Sequence, residues 1–330
     1  MQRWLRRWLG IAPASVLTFN DRAARRKLRR ASARICFAHV VVYDEVQCGR
    51  ALDLLRVSGW PAYIVHFMDI LESKPLTPDS HPQLFALCRE AKLLVGISRL
   101  LLEEIGKHFE RPTYLLPVCA DPATLHRVLA LPVVTAPFRI AIFGTLYPDN
   151  CTGPNHMLPL LEAAWPRLLQ QFPRLELHYA GASFDRFPQS LRPQIVNHGL
   201  VSPAKCLDLL ASCTIAILTS TYPKDSAFRF SVPSRISDYF ALGLPVLAWS
   251  DPQTAQEEFL QPLIGHCVTP VRSIADLVSA IATFHDQPEI RARQSAFARE
   301  FARTHLDASR HAADLERRVM NILTASSQSL

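Results

Sequence analysis

Residues 231–250 read SVPSRISDYFALGLPVLAWS, and their pattern decides the fold. Ser231 and Ser234 both suit a helix N-cap, and Pro233 suits a first turn because it has no amide hydrogen to satisfy. Ile236, Tyr239, Phe240 and Leu242 recur at spacings of three and four, which makes one helical face apolar. Gly243 falls where a left-handed residue closes a helix, and Pro245 forbids continuation. PVLAW, beginning at Pro245, is then a short apolar run of the buried parallel-strand type. The stretch therefore predicts loop, helix, tight turn and parallel strand. A loop entering a helix leaves backbone N–H groups available to an anion. Any helix needs a cap, so anion binding and plain capping both stand at this point.

The same alternation of short apolar runs and helical patterns extends along the chain, the signature of βαβ units and parallel sheets. In the first part, strands are expected near ICFAHVVV, AYIVHF, AKLLVGIS and PTYLLP, with helices between them. LALPVVTAPF, residues 129–138, has two prolines and no helical period, and reads as a linker. It separates an N-terminal domain over residues 1–130 from a C-terminal domain over 137–330. After it come FRIAIFG (strand), PNHMLPLLEAAWPRLLQQ (helix), LELHYAG and QIVNHG (strands), PAKCLDLLASC (helix) and TIAILTS (strand). The opening helix, PVLAWS, GHCVTP and SIADLVSAIATF follow, with two further helical stretches from about Pro288 to Leu323.

A chain of 330 residues with 49% apolar content is long enough for two ordinary cores. Its eight cysteines are scattered and form no C-x-x-C pair, which excludes metal-site spacing and a dense disulfide framework. They read as reduced thiols of a cytoplasmic protein. No apolar run approaches the roughly 20 residues that span a bilayer. The net charge of +7 is unevenly placed: residues 1–30 hold nine Lys or Arg against Asp21 alone, and the remainder is close to neutral. Nucleic-acid binding needs a basic surface on the fold itself, so this distribution argues against it. Within residues 1–12, Trp4, Leu5, Trp8 and Leu9 share a helical face while Arg3, Arg6 and Arg7 lie toward the other. That pattern suits a helix lying on an anionic membrane surface, or one packing its tryptophans on its own domain.

In open α/β sheets, ligands bind beyond the carboxyl ends of the strands. The loops at those ends are GTLYPDNCTGPN (144–155), AGASFD (180–185), NHGLVSPAK (197–205) and TSTYPKDSAFRFSVPS (219–234). The last is the longest; it carries Lys224, Arg229 and Ser231, with Arg235 just inside the helix. Cations beside a helix start suit a diphosphate. Asp238, one turn further on, is placed either to accept hydrogen bonds from sugar hydroxyls or to pair with Arg235. None of these loops contains a Walker loop, G-x-G-x-x-G, H-E-x-x-H or G-x-S-x-G.

SVPSRISDYFALGLPVLAWS resembles the donor-site segment of GT-B glycosyltransferases, in particular the retaining family 4 (glycosyl transferases group 1). FGTLYPDNCTGPN, LELHYAG, IVNHGLVSPAKCLDLLASCTIAILTS and GHCVTP…ADLVSAI fall in that family's order, over roughly residues 138–300. AYIVHFMDI resembles the segment with an active-site histidine, and AKLLVGISRLLLEEIGKHF…TYLLPVCAD the unit that closes the N-terminal domain. The resemblance implies a GT-B fold: two Rossmann-like, doubly wound parallel-sheet domains facing a cleft, here with a short N-terminal domain and last helices returning toward it. It implies a donor site at Gly144, Thr145, Gly181, His198, Gly199, Leu200, Arg229, Ser231, Val232, Ser234 and Asp238. Asp238 would hold the ribose, residues 231–234 the phosphates and loop 197–201 the base. His66, beside Asp69, would face the transferred sugar, and Lys224 or Arg235 would stabilise the leaving diphosphate.

The function so implied is metal-independent, cofactor-free, retaining transfer from a nucleoside-diphosphate sugar to a glycan or lipid-linked acceptor. Its expected setting is the cytoplasmic face of the plasma membrane, in the making of a bacterial polysaccharide or glycolipid. The sequence departs from the family at three places. Phe230 stands where a glutamate usually precedes the ribose acid by eight residues, the usual Arg and Lys are missing from 144–155, and no Gly-rich loop is visible in the short first domain. A non-catalytic sugar-nucleotide-binding or partner subunit is therefore the alternative expectation. A basic-tailed binder that uses the fold only as a scaffold is the third.

Overall fold

The computed structural model describes residues 37–42, 44–57, 59, 62–68, 76–122, 124–125, 137–146, 156–219 and 227–327. The amphipathic start, Asp69, most of the linker, residues 147–155 and Lys224 lie outside the described residues. In chain order the main elements are β1 (Phe37–Val42), α1 (Glu45–Val57), β2 (Ala62–Phe67), α2 (Pro82–Glu90), β3 (Leu93–Gly96), α3 (Arg99–Gly106) and β4 (Thr113–Leu115). Then come β5 (Arg139–Phe143), α4 (Met157–Gln171), β6 (Glu176–Ala180), β7 (Ile195–Asn197), α5 (Pro203–Ala211), β8 (Ile215–Leu218) and α6 (Arg235–Ala241). The chain continues through β9 (Val246–Ala248), α7 (Ala255–Leu260), β10 (Val268–Pro270), α8 (Ile274–Asp286), α9 (Pro288–His305) and α10 (Ala308–Ser327).

These elements form two compact units. The first gathers residues from 1–117, 225–232 and 308–330; the second gathers those from 118–224 and 233–307.

In the first unit, β1 to β4 form a parallel sheet in sequential order. β2 is buried from Tyr63 to Phe67, His66 included, as a central parallel strand is. Val65, Phe67, Leu87, Leu94, Leu101 and Ile105 form the centre of its core. Ser98 caps α3, accepting from the Leu101 amide at 3.2 Å, and its hydroxyl donates to the Phe230 carbonyl at 2.8 Å. Phe230 packs into this same core, with the Arg229 guanidinium 4.4 Å from its ring centroid. The 3₁₀ turn Ala227–Phe230 is thus built into the first unit. α10 joins it through Tyr114, whose ring lies 4.7 Å beneath the Arg318 guanidinium.

The second unit is a six-stranded parallel sheet in the order β10-β9-β8-β5-β6-β7. The order reverses between β5 and β8, so the topological switch point lies at their carboxyl ends. α4 and α8 pack together over the sheet, with Leu161, Leu168, Leu277 and Ile281 fully buried. Each such side chain contributes roughly 1.5–3 kcal/mol through removal from water.

α6 has the predicted apolar face, with Ile236, Tyr239, Phe240 and Leu242 all buried. Its C-terminus is also as expected. Gly243 has φ 72°, its amide donates to Phe240 O at 2.9 Å, and the Leu244 amide donates to Tyr239 O at 2.8 Å. Its start is different. Ser234 occupies the N-cap position, but its backbone is already helical and its side chain makes no capping bond. Ser231 lies too far upstream to cap. Tight turns enter the helix instead, with Ile236 N bonding Pro233 O at 3.1 Å and Ser237 Oγ bonding Ser234 O at 2.8 Å. α7, which the sequence reading passes over, is capped by Thr254, whose hydroxyl accepts from the Glu257 amide at 3.2 Å.

Candidate functional site

Three loops at the carboxyl ends of β5, β6 and β7 are strapped together by hydrogen bonds. The Gly144 amide donates to Ala180 O at 2.8 Å, and the Gly181 amide donates to Gly199 O at 2.9 Å. Tyr179, fully buried near the end of β6, donates its hydroxyl to Gly144 O at 3.1 Å and accepts the Ser183 amide at 3.0 Å. A Cβ on Gly181 would overlap Gly144 O and the Tyr179 hydroxyl, so the close approach of these loops requires glycine there.

α6 completes the frame. The Tyr239 hydroxyl exchanges bonds with both backbone groups of Phe143, at 3.1 Å from its amide and 3.2 Å from its carbonyl. Arg235 donates to Phe143 O at 2.8 Å and to Thr145 O at 2.9 Å. The fork of Arg235 therefore braces the loop after β5. Asp238 is half-buried one turn along, and among the described residues its carboxylate has neither a hydrogen bond nor an ion pair. The alternative expectation of an Arg235–Asp238 pair does not hold. Burial first, and the negative charge of Asp121 second, push the Asp238 carboxyl up to about 6. An acceptor-only group without a partner, near a switch point, is equipped to take ligand hydroxyls.

On the β6–β7 side, Arg139 Nε donates to Glu176 Oε2 at 2.7 Å, and His178 Nε2 donates to the same oxygen at 2.9 Å. His178 Nδ1 lies 3.0 Å from His198 Nε2, with the two rings stacked. The His178 hydrogen bond above all, with Arg139 adding to it, holds the Glu176 carboxyl below its ordinary range. Burial first, then His178 and Lys205, lower the His198 imidazole. Leu200, two residues on, is 81% exposed.

The second unit thus brings together Gly144, Thr145, Gly181, His198, Gly199, Leu200, Ser234, Arg235 and Asp238 from the predicted set. Arg229, Ser231 and Val232 belong to the first unit, where Ser231 and Val232 are buried and Arg229 lies 3.7 Å from Glu104. His66 is also there, buried on β2 and stacked on His39 at 5.4 Å, with no hydrogen bond to either ring nitrogen. Burial, with His39 adding to it, lowers the His66 imidazole well below its ordinary value.

Sequence reasoning missed Tyr179, Tyr239, Glu176 and His178. The signal was in LELHYAG: residues two apart on a strand share a face, so Glu176 and His178 had to meet. A tyrosine buried at a strand end also needs a partner for its hydroxyl.

Among the described residues, no three His, Cys, Asp or Glu side chains cluster as metal ligands, and no helix is long and apolar enough to cross a membrane. Six cysteines are described, and all six are free thiols.

Residues 159–317 match the family model described as glycosyl transferase-like. No curated protein matches the chain. Among solved structures, HepE of Anabaena in complex with UDP is similar at TM-score 0.64 and 15% identity, over 91% of this chain and 82% of that one. A glycosyltransferase of Rickettsia africae is similar at TM-score 0.67 and 11% identity, over 93% and 84%. Sucrose-phosphate synthase of Thermosynechococcus elongatus is similar at TM-score 0.59 and 14% identity, over 95% and 82%. The chain has the GT-B fold, and its residues 159–317 match the glycosyl transferase-like family model.

Proposed function

We propose that this protein is a glycosyltransferase that moves a sugar from a nucleoside diphosphate, with retention of configuration, to a glycan or lipid-linked acceptor. The observation that carries the reading is the strapped frame at the switch point of the second unit, with the half-buried, unpartnered Asp238 beside it. Asp238 accepts the ribose hydroxyls, and the loops at Gly144, Gly181 and Gly199 receive the remainder of the nucleotide. The match to the family model and the likeness to HepE, solved with UDP, support a nucleotide-sugar donor.

The chemistry asks little of dedicated acids and bases. Departure of the diphosphate leaves an oxocarbenium-like sugar, and a donor phosphate oxygen takes the acceptor's proton. The protein's task is to hold the groups and to offset the charge developing on the leaving diphosphate. The Ser234 backbone and the cations Lys224 and Arg229 serve that second task. Arg235 acts by holding the loop that carries Thr145, and His66, neutral at physiological pH, is a hydrogen-bonding group for the transferred sugar. The amphipathic residues 1–12 hold the protein on an anionic membrane surface, where a lipid-linked acceptor would lie.

One observation favours the non-catalytic alternative. Phe230, at the position of the family's second acid, is buried in the core of the first unit and supplies no carboxylate. The discriminating experiment is calorimetric titration with UDP, GDP and ADP in the absence of divalent metal, followed by the sugar nucleotides of the base that binds. Binding with slow donor hydrolysis is the expected result. Binding without hydrolysis in the presence of membrane glycolipid extracts would favour the binding subunit, and no binding would overturn both.

A further inference from the structure

The bonds leading to His198 determine where its protons lie. Arg139 and Glu176 are register partners on β5 and β6, and Glu176 and His178 share a face of β6. A carboxylate only accepts, so His178 Nε2 carries a proton toward Glu176. Arg139 already matches the Glu176 charge, so a neutral His178 leaves the cluster balanced. Its Nδ1 is then a lone pair, and His198 Nε2 must be the donor across their 3.0 Å contact. The other nitrogen, His198 Nδ1, is left as an acceptor, and among the described residues it has no partner.

Two backbone donors of the same loop are already used. His198 N is bonded to Tyr179 O at 2.8 Å, and Gly199 N to Asn197 Oδ1 at 2.9 Å. The His198 ring adds a side-chain acceptor to this loop, with the exposed Leu200 as an adjacent apolar surface.

We propose that His198 selects the nucleobase: its Nδ1 accepts the ring N–H that uracil and guanine carry on their pairing edges, and it opposes the bare ring nitrogen of cytosine. Arg139, Glu176 and His178 are the positioning residues that fix this tautomer. The inference rests on the donor-site reading above, in which loop 197–201 takes the base, and adds the atom that reads it and the bonds that set its tautomer. The other groups around the relay are Lys205 on α5, which favours the neutral His198 ring, and Cys213, near Arg139 and Glu176.

Two measurements on the full chain at pH 8, above the ordinary imidazole range, test it. The first is nitrogen-15 NMR of histidine-labelled, nucleotide-free protein. A pyridine-type Nδ1 and a protonated Nε2 are expected for His198, with this preference lost in His178→Phe. The opposite tautomer would overturn the relay whatever the protein binds. The second is calorimetry with UDP, GDP, CDP and ADP, of which the last two present a bare ring nitrogen. A bound UDP or GDP is expected to exceed CDP and ADP by roughly tenfold, as loss of one buried hydrogen bond implies, and His198→Ala should bring the ratio close to one. Diphosphate binding with an unchanged ratio in His198→Ala would overturn this proposal alone. Absence of all binding would overturn the donor-site reading, and this proposal with it.

Discussion

The Tyr179 hydroxyl donates to Gly144 O across 3.1 Å while accepting the Ser183 amide at 3.0 Å, so one buried side chain ties the loop after β5 to the loop after β6. Removing the hydroxyl leaves a carbonyl and an amide without their partner. Tyr179→Phe should cost about 1–2 kcal/mol of stability, read as a lower urea midpoint at unchanged slope. It should also weaken nucleotide binding, because ordering the loops then falls to the ligand. An unchanged midpoint would show that water replaces the hydroxyl without loss.

Asp238 should trade stability for binding. Its carboxyl titrates at about 6 in the fold against 3.8 unfolded, so the folded state binds the extra proton between those values. The resulting contribution is fully present below the unfolded value and is lost as pH rises through about 6. Asp238→Asn removes this slope. At pH 7 to 8 it should stabilise the nucleotide-free protein by at most about 3 kcal/mol, less in proportion to the solvent Asp238 sees, with no gain at pH 3.5. The same variant should bind nucleotide at least tenfold more weakly, since an amide presents a donor where the ribose needs acceptors. Melting curves across pH, paired with calorimetry, measure both; unchanged affinity would remove Asp238 from the ribose site.

The strands were legible because parallel β-structure writes itself as short apolar runs, and AYIVHF corresponds residue for residue to β2. Gly243 was legible because only a left-handed C-terminus puts glycine between Leu242 and Leu244, with proline after. The entry to α6 was not. A serine before a helix reads as a cap, but here Pro233 and Ser234 form tight turns that take over the backbone groups. Arg235 read as a free cation for phosphate because sequence cannot show the two carbonyls, about ninety residues away, that use its fork. The Ser98–Phe230 bond, which builds 227–230 into the first unit, spans 132 positions and was equally invisible.

Arg235 acts through geometry as well as charge. Lysine keeps the charge but cannot hold Phe143 O and Thr145 O with one planar fork. Arg235→Lys should lower stability by roughly 1–2 kcal/mol and reduce nucleotide affinity. Wild-type behaviour in both assays would show that the charge alone is used.

Residues 1–12 combine two tryptophans and three arginines in an amphipathic pattern. Their removal should release the protein from vesicles containing anionic phospholipid and leave soluble nucleotide binding unchanged. Co-sedimentation decides this. Retained binding by the shortened chain would place membrane contact elsewhere, and loss of nucleotide binding would show that these residues support the fold.

His66 and His39 give the first unit the opposite pH response to Asp238. Burial lowers the His39 imidazole to about 4, and burial, with His39 adding to it, lowers the His66 imidazole well below its ordinary value. A base whose folded value lies below its unfolded value of 6.5 contributes stability that is complete above 6.5 and is lost as pH falls toward the folded value. For His39 the loss is at most about 3 kcal/mol, close in size and opposite in sign to the Asp238 slope over an overlapping window. Asp238 therefore offsets only part of the histidine slope between pH 4 and 6.5, and Asp238→Asn should steepen the loss of stability on acidification. His66 adds a second test, because both of its buried ring nitrogens lack a hydrogen bond. His66→Leu removes those two unsatisfied groups, so its melting temperature at pH 7 should equal or exceed the wild-type value while glycosyl transfer falls at least tenfold. A destabilised variant with full activity would make His66 a packing residue and leave the sugar to other groups.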